Sequence, residues 1–160
     1  MTLSAGNVTR MVASYSYDDI GRLVSLKRSG NAGIVNYAYN IRNWLKEAKS
    51  DRFCQNLLYE NTGAYPCFNG NISRMQWQTS KDNVLRVYDF AYDGLNRLEE
   101  STYAEGAGMS QNKNRYSENI LSYSPNGSIE RLQRYGKKNN GTFGLIDDLM
   151  YSYNGNQIKA

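Results

Sequence analysis

A short sequence motif that recurs along the chain constrains its fold more than any other feature. The motif first appears as YSYDDIGRL at residues 15–23, and it recurs as YAYNIRNWL at 37–45 and as FAYDGLNRL at 90–98. A fourth copy, YSPNGSI, occupies residues 123–129. All four copies hold an aromatic residue, then Asp, Asn or Ser, then two variable residues, then Gly or Asn, then one further variable residue, and finally Leu or Ile.

Two shortened copies complete the series, FNGNI at 68–72 and YNGNQI at 153–158. We call each copy a turn cassette, its aromatic residue the anchor, and its final Leu or Ile the closing residue. The anchors are Tyr17, Tyr39, Phe68, Tyr92, Tyr123 and Tyr153. Solenoid repeats hold a steady period, whereas the distance between these anchors varies. This indicates hairpins in which one turn is constant and the opposite loop changes length.

The residue types in a cassette predict a strand, a tight turn and a second strand. Asp, Asn or Ser after the anchor can bond the backbone two residues on, and Gly or Asn tolerates positive φ. In the shortened copies, Asn-Gly is a strong hairpin signal. The predicted structural turn positions are Asp18, Gly21, Asn40, Asn43, Asn69, Gly70, Asp93, Asn96, Gly127, Asn154 and Gly155.

Between the cassettes, side chains alternate as they do on strands. Val84 to Tyr92 places Tyr88 and Phe90 on one face and Val87 on the other, and with Ile72 to Thr79 it predicts a long hairpin. The outer loops are predicted at 29–33, 104–114 and 137–144. The expected fold is therefore all-β: an antiparallel sheet of consecutive long β-hairpins, with little or no helix, in a single domain over residues 1–160.

Residues 41–66 are the least clear part of the pattern. Ile41, Trp44, Leu45 and Ala48 have helical spacing, but Asn40 and Asn43 occupy the turn slots of a cassette. The prediction is a turn followed by a strand, with a helix as the alternative. For residues 50–66 we predict one strand from Asn56 to Tyr59 and an irregular loop.

Composition argues against most enzymes and metal sites. The chain has no histidine and two cysteines, so the commonest general base and metal ligand are missing, and we expect no catalytic residue, metal or cofactor. Cys54 and Cys67 could pair across a hairpin, remain as two thiols, or include one buried thiol. The adjacent acids Glu99-Glu100 and Asp147-Asp148 would face opposite sides of a strand, which suits acid–base catalysis poorly.

Charge and hydropathy exclude two further classes. The net charge is +4 and the basic residues are scattered, unlike the dense stripe of a nucleic-acid-binding protein. No apolar run approaches the ~20 residues of a membrane helix. The N-terminal segment lacks the order of a signal peptide.

Aromatic residues are the remaining binding candidates. There are fourteen tyrosines and four phenylalanines, and tyrosine suits a pleated, half-wet surface. Trp44, Trp77, Tyr88 and Phe90 could stack on sugar rings. They could equally form cross-strand pairs, each worth ~0.2–1 kcal/mol.

The cassettes resemble a known family. YSYDDIGRL, FAYDGLNRL and YSPNGSIERL are similar to the tyrosine-aspartate (YD) repeats of Rhs proteins, and the resemblance to Rhs-type proteins of Bacteroidetes covers nearly all of residues 15–158. It implies hairpins joined into a curved or partly spiralled strip. In large members this strip forms a shell around a C-terminal toxin, or belongs to a cell-surface adhesion protein. Some YD repeats are described as carbohydrate-binding.

The chain departs from the family pattern in one respect. Rhs shells usually end in an Asp-Pro-containing motif linked to self-cleavage, but the prolines here are Pro66 and Pro125, and neither follows an aspartate. The chain therefore looks like a section of a larger shell or a small stand-alone relative, and the resemblance implies a place at the cell surface or in a secreted protein. The expected partners are adjoining YD repeats of the same or another chain, through edge pairing or as a homo-oligomer, and a toxin domain or a glycan.

Overall fold

The computed structural model describes residues 2–5, 8–29, 33–60 and 65–159, and these residues include no helix. The prediction of an all-β fold built from consecutive antiparallel hairpins is therefore confirmed. Within the same residues no helix is long and apolar enough to cross a membrane. Most of the outer loop predicted at 29–33 lies outside the described residues.

Fifteen strands are present in the described part of the chain. They are β1 (Thr2–Ala5), β2 (Val8–Met11), β3 (Ala13–Tyr17), β4 (Leu23–Arg28), β5 (Ile34–Tyr39), β6 (Leu45–Lys49), β7 (Phe53–Leu58), β8 (Arg74–Thr79), β9 (Arg86–Tyr92), β10 (Leu98–Glu105), β11 (Glu118–Tyr123), β12 (Ile129–Lys137), β13 (Phe143–Met150), β14 (Tyr153–Asn154) and β15 (Gln157–Ile158).

Strand order follows chain order. Strands β3 to β13 form one eleven-stranded sheet in which neighbours in sequence are neighbours in space, while β1–β2 and β14–β15 are separate two-stranded sheets. The chain divides into two compact units, Met1–Leu57 with Trp77–Asn83, and Leu58–Gln76 with Val84–Ala160. The assignment of residues 1–160 to a single domain remains a prediction.

In the first unit, the buried hydrophobic side chains among the described residues are Ala13 and Leu26. Leu26 lies opposite Tyr15 on β3 and opposite Val35 on β5, so it packs between two neighbouring strands. Cross-strand pairs of this kind are the means by which a sheet is stabilised.

In the second unit, burial is concentrated on β9 and β10. Val87 is fully buried and lies opposite Ala104, and the next pair along, Tyr88 and Tyr103, includes the buried ring of Tyr103. Ser117 is also buried, and its Oγ accepts a 2.8 Å hydrogen bond from the backbone N–H of Tyr103. Because a buried hydroxyl needs a partner, this bond fixes the chain beside the core.

Residues 40–58 belong to the segment for which the sequence allowed either a turn and a strand or a helix. A turn at 40–44 leads into β6, as predicted, and the helical alternative is not realised. The strand predicted from Asn56 to Tyr59 is wrong in its bounds, because β7 already begins at Phe53. The cause is a tight turn, in which the N–H of Ser50 donates to the carbonyl of Phe53 at 2.7 Å and starts the strand early.

Candidate functional site

The four full turn cassettes share one backbone geometry. In the first, the N–H of Asp18 donates to the carbonyl of Arg22 at 2.9 Å and that of Gly21 donates to the carbonyl of Asp18 at 3.0 Å. The corresponding pairs of bonds recur at Asn40, Asp93 and Ser124. This is the three-residue hairpin loop in which a turn is followed by a left-handed residue.

The left-handed slot is occupied by residues that tolerate it. The φ angles are 84° at Gly21, 65° at Asn43, 64° at Asn96 and 86° at Gly127. In the shortened cassettes, Gly70 and Gly155 also have positive φ, at 99° and 60°. A Cβ built on Gly21 meets no atom within 4 Å, so backbone conformation, rather than space, makes glycine favourable here.

The residue after the anchor caps the turn from its side chain. Oδ1 of Asp18 accepts hydrogen bonds from the backbone N–H groups of Ile20 at 3.1 Å and Arg22 at 2.9 Å. Asn40 and Asp93 make the same pair of bonds. The hydrogen bond from the backbone N–H of Arg22 is the largest cause that lowers the pKa of Asp18, and the bond from the Arg22 side chain comes next. The pKa of Asp93 is also lowered, mainly by the hydrogen bond from the backbone N–H of Arg97.

Each full cassette also contains a bulge one step beyond its turn. Tyr17 lies opposite its closing residue Leu23, and the register then shifts so that Ser16 faces Ser25. Anchors Tyr39, Tyr92 and Tyr123 face Leu45, Leu98 and Ile129 with the same shift. A bulge bends a strand and increases its twist, and here it recurs at a fixed place in every full copy.

The anchor tyrosines join successive cassettes. The hydroxyl of Tyr39 donates to the carbonyl of Leu23, the closing residue of the cassette before it, at 3.0 Å. Tyr92 donates to Ile72 at 2.9 Å and Tyr153 to Ile129 at 2.6 Å. Tyr123 makes the equivalent bond to Leu98. An anchor tyrosine therefore hydrogen-bonds to the preceding cassette and also faces the closing residue of its own cassette across the hairpin.

Two arginines that sequence reasoning missed strengthen this junction. Arg22 binds Asp18 through Nε at 2.7 Å, and its Cζ lies 4.9 Å from the ring centre of Tyr39 in the next cassette. Arg97 repeats the arrangement, with Asp93 at 2.6 Å and the ring of Tyr123 at 4.4 Å. The signal was the Arg-Leu pair that ends YSYDDIGRL and FAYDGLNRL. The cassette pattern leaves the position before the closing residue variable.

Turn side chains also touch the next turn along. Nη1 of Arg22 donates to Oδ1 of Asn43 at 2.7 Å. In the second unit, Nδ2 of Asn69 donates to Oδ1 of Asn96. The turns of these successive cassettes are thus in direct contact through their side chains.

One outer loop uses the same turn without a cassette sequence. The N–H of Lys138 donates to the carbonyl of Thr142 at 2.8 Å, and Gly141 takes a φ of 84°. Asn140 caps the loop by accepting from the N–H of Thr142 at 3.1 Å. The backbone geometry therefore does not require Asp or Asn at the first position when a later side chain supplies the cap.

The last cassette closes differently from the pattern. Tyr153 faces Ile158 and Asn154 faces Gln157, so the two loop residues are Gly155 and Asn156 rather than Asn154 and Gly155. Positive φ at the first loop residue is the requirement of a type II′ turn, which favours glycine there.

The aromatic residues predicted to stack on sugars are all half-buried. Trp44 has the guanidinium of Arg42 over its ring, 5.2 Å from the ring centre. Trp44 and Trp77 belong to the first compact unit, and Tyr88 and Phe90 to the second.

Tyr88 and Phe90 lie in a packed aromatic row. The ring centre of Tyr88 is 6.0 Å from that of Phe90 and 5.3 Å from that of Tyr103, and contacts continue through Tyr116 to Phe143. The Tyr88 hydroxyl donates to the carbonyl of Tyr116 at 2.8 Å. Burial is the largest cause that raises the pKa of Tyr88 and of Tyr103. These rings thus serve packing within the sheet.

The adjacent acids at 147–148 form ion pairs with β12. Asp147 binds Arg134 at 2.5 Å and Asp148 binds Arg131 at 2.8 Å. The hydrogen bond from Arg131 is the largest cause that lowers the pKa of Asp148 to about 2. Both cysteines are free thiols, and among the described residues no three potential metal ligands converge.

Comparison with known proteins adds no relative. The sequence matches no protein-family model, and a search of curated proteins finds no match either.

Proposed function

We propose that this chain is a non-enzymatic structural and interaction module, a section of a β-sheet shell of the YD-repeat kind. The observation that carries the proposal is the hydrogen bond from an anchor tyrosine to the closing carbonyl of the preceding cassette. Every full cassette has both the tyrosine hydroxyl that donates and the closing-residue carbonyl that accepts. The same hydrogen bond can therefore form each time a cassette is added.

The two ends of the large sheet support an interaction role. Strands β3 and β13 are its edges, and an edge strand presents unpaired N–H and C=O groups to a further strand. β13 is eight residues long and exposes Leu145, Ile146 and Met150. At the other end, Tyr17 is exposed, and its hydroxyl makes no hydrogen bond with any described residue.

These features favour pairing with adjoining YD repeats, supplied by further sequence or by a second copy. By resemblance to Rhs proteins, the assembled shell would enclose or present a C-terminal toxin, or mediate contact at the cell surface. The proposed module contributes the wall of the shell, and any toxic activity would belong to another domain.

The test is concentration-dependent association measured by sedimentation. We expect the average mass of the wild-type chain to rise with concentration, and Leu145→Lys on β13 to weaken this rise because a charged lysine blocks an edge. The matched control is Leu121→Lys. Leu121 is similarly exposed, at 48% against 38% for Leu145, but it lies on β11 between two paired strands.

Two results would overturn the proposal. One is a wild-type chain that stays strictly monomeric at high concentration. The other is an equal effect of the two lysine variants, because β11 offers no free edge and the association would then not involve strand pairing.

A further inference from the structure

Asparagine is followed directly by glycine at four turns and loops of the chain. The four pairs are Asn69-Gly70, Asn126-Gly127, Asn140-Gly141 and Asn154-Gly155. All four asparagines are exposed. In such a pair the backbone nitrogen of the glycine can attack Cγ of the asparagine, because glycine has no Cβ to block a close approach. The four pairs are therefore candidates for the same covalent modification, and they differ in what holds the reacting groups.

The modification is deamidation through a cyclic imide. The glycine nitrogen forms a bond to Cγ, the bond from Cγ to Nδ2 breaks, and Nδ2 leaves as ammonia with the proton that the glycine nitrogen gives up. Water then adds to either carbonyl carbon of the ring and breaks its bond to the nitrogen, which yields aspartate or isoaspartate. Any hydrogen bond that holds the glycine N–H or the asparagine side chain must first break, and this adds to the barrier.

The pair at Asn126 is held at both reacting groups. The N–H of Gly127 donates to the carbonyl of Ser124 at 2.9 Å. Oδ1 of Asn126 accepts from the hydroxyl of Ser124 and from the N–H of Ser128. The cassette turn therefore restrains the attacking nitrogen and the side chain that it would attack.

The pair at Asn140 is held in the same way. The N–H of Gly141 donates to the carbonyl of Lys138 at 2.9 Å. Oδ1 of Asn140 accepts from the N–H of Thr142 at 3.1 Å and from its hydroxyl at 2.7 Å. This outer loop thus protects its asparagine as the full cassette does.

The pair at Asn69 is held at its side chain alone. Oδ1 of Asn69 accepts from the N–H of Asn71 at 3.0 Å, and Nδ2 donates to Oδ1 of Asn96. The N–H of Gly70 makes no hydrogen bond with any described residue. Here the attacking nitrogen is free, but the group that must leave is bound.

The pair at Asn154 is held at neither group. The side chain of Asn154 and the N–H of Gly155 make no hydrogen bond with any described residue. The surrounding strands, β14 and β15, are two residues long and pair with each other alone. A two-stranded hairpin has little stability of its own, so the local opening that brings the glycine nitrogen to Cγ costs little free energy.

From these differences we infer that Asn154 is a modification site, at which the folded chain deamidates spontaneously with water as the second reactant. Aspartate adds a negative charge to the turn of the last cassette. Isoaspartate also lengthens the backbone, because its main chain runs through the side-chain carbon atoms. The tight loop that places Tyr153 opposite Ile158 then no longer has its geometry. This inference goes beyond the proposed shell role and stands without it.

The experiment is incubation of the full folded chain in neutral buffer, then proteolysis at mildly acidic pH and peptide mass spectrometry. Replacement of the side-chain NH₂ by OH raises the mass of a peptide, and fragmentation assigns the change to one asparagine. We expect Asn154 to deamidate roughly tenfold faster than Asn126 or Asn140, because at those sites at least one hydrogen bond must break first.

Asn69 is the matched comparison, since FNGN and YNGN place an aromatic residue before the reacting pair and asparagine after it. In chain unfolded by urea, Asn69 and Asn154 should react at similar rates. In the folded chain, Asn154 should react several-fold faster.

Asn96→Gly tests the restraint on Asn69. It removes the acceptor of Nδ2 of Asn69, and glycine tolerates the φ of 64° at this position. We expect deamidation at Asn69 to accelerate and that at Asn154 to stay unchanged. Circular dichroism shows whether this variant is folded, and if it is not, the wild-type comparison of the four sites decides.

The inference is overturned if Asn154 reacts no faster than Asn126 and Asn140 in the folded chain, or if it matches Asn69 there as it does in urea. It is also overturned if Asn154 deamidates in urea but stays intact in the folded chain, because the fold would then protect it. Peptide masses are measured whether or not the chain associates, so this inference and the proposed shell role can fail separately.

Discussion

Removing a single hydroxyl group from Tyr92 tests whether anchor tyrosines join successive cassettes. In Tyr92→Phe the ring still faces Leu98 across the hairpin, but the 2.9 Å bond to the carbonyl of Ile72 is lost. Burial is the main cause that raises the pKa of this hydroxyl, which indicates that water solvates it incompletely. Its hydrogen bond should therefore contribute measurably to stability.

The magnitude follows from the net value of one intramolecular hydrogen bond. Such a bond contributes about 0.5–1.5 kcal/mol to the free energy of unfolding. For a chain of this length, 1 kcal/mol corresponds to a change of about 2–4 °C in Tm. We therefore expect Tyr92→Phe to lower Tm by a few degrees and to shift the urea midpoint without changing the slope.

Tyr17→Phe is the matched control. It makes the same chemical change in a cassette whose anchor tyrosine is exposed and whose hydroxyl bonds to no described residue, so its Tm should match that of the wild type. If the two variants lose equal stability, or if Tyr92→Phe loses none, the hydroxyl does not hold the cassettes together and the reasoning is refuted.

Two further predictions concern the turns. Gly21→Val should lower Tm by several degrees, because φ at Gly21 is 84° and left-handed backbone costs an L-residue roughly 1–2 kcal/mol. The control Asp19→Ala, two residues away, should change Tm by about a degree or less. An unchanged Tm for Gly21→Val would contradict the turn geometry. The second prediction concerns stability in acid. The pKa of Asp93 is lower in the folded chain than in the unfolded chain. Ionised Asp93 therefore stabilises the fold fully above its unfolded-state pKa, and this stabilisation is lost as the pH falls through its folded-state pKa. Asp93→Asn should flatten the dependence of Tm on pH below about pH 4, and an unchanged profile would show that this carboxylate does not contribute.

The turns were accessible to sequence reasoning because their chemistry is local. Asp18 caps backbone groups two and four residues away, and the φ of Gly21 depends on its own lack of a side chain. By contrast, the start of β7 at Phe53 depends on a turn centred on Ser50 that belongs to no cassette, and the repeat could not indicate it.

The exposure of the aromatic residues could not be predicted in the same way. By residue type and strand pattern, the candidates for stacking on sugars are Trp44, Trp77, Tyr88 and Phe90. The accessibility of a ring, however, depends on which rings the neighbouring strands cover. Phe68 and Tyr65 remain exposed, whereas Trp44 and Trp77 are half-buried.

The sequence by itself determined the kind of structure. A repeated strand–turn–strand cassette specifies antiparallel hairpins, because each requirement is met within a few consecutive residues. The tertiary structure decided what joins one hairpin to the next. The acceptors of Tyr39 and Tyr153 lie 16 and 24 residues earlier in the chain, and no local pattern names a partner at that distance. Only folding brings the hydroxyl and the carbonyl together.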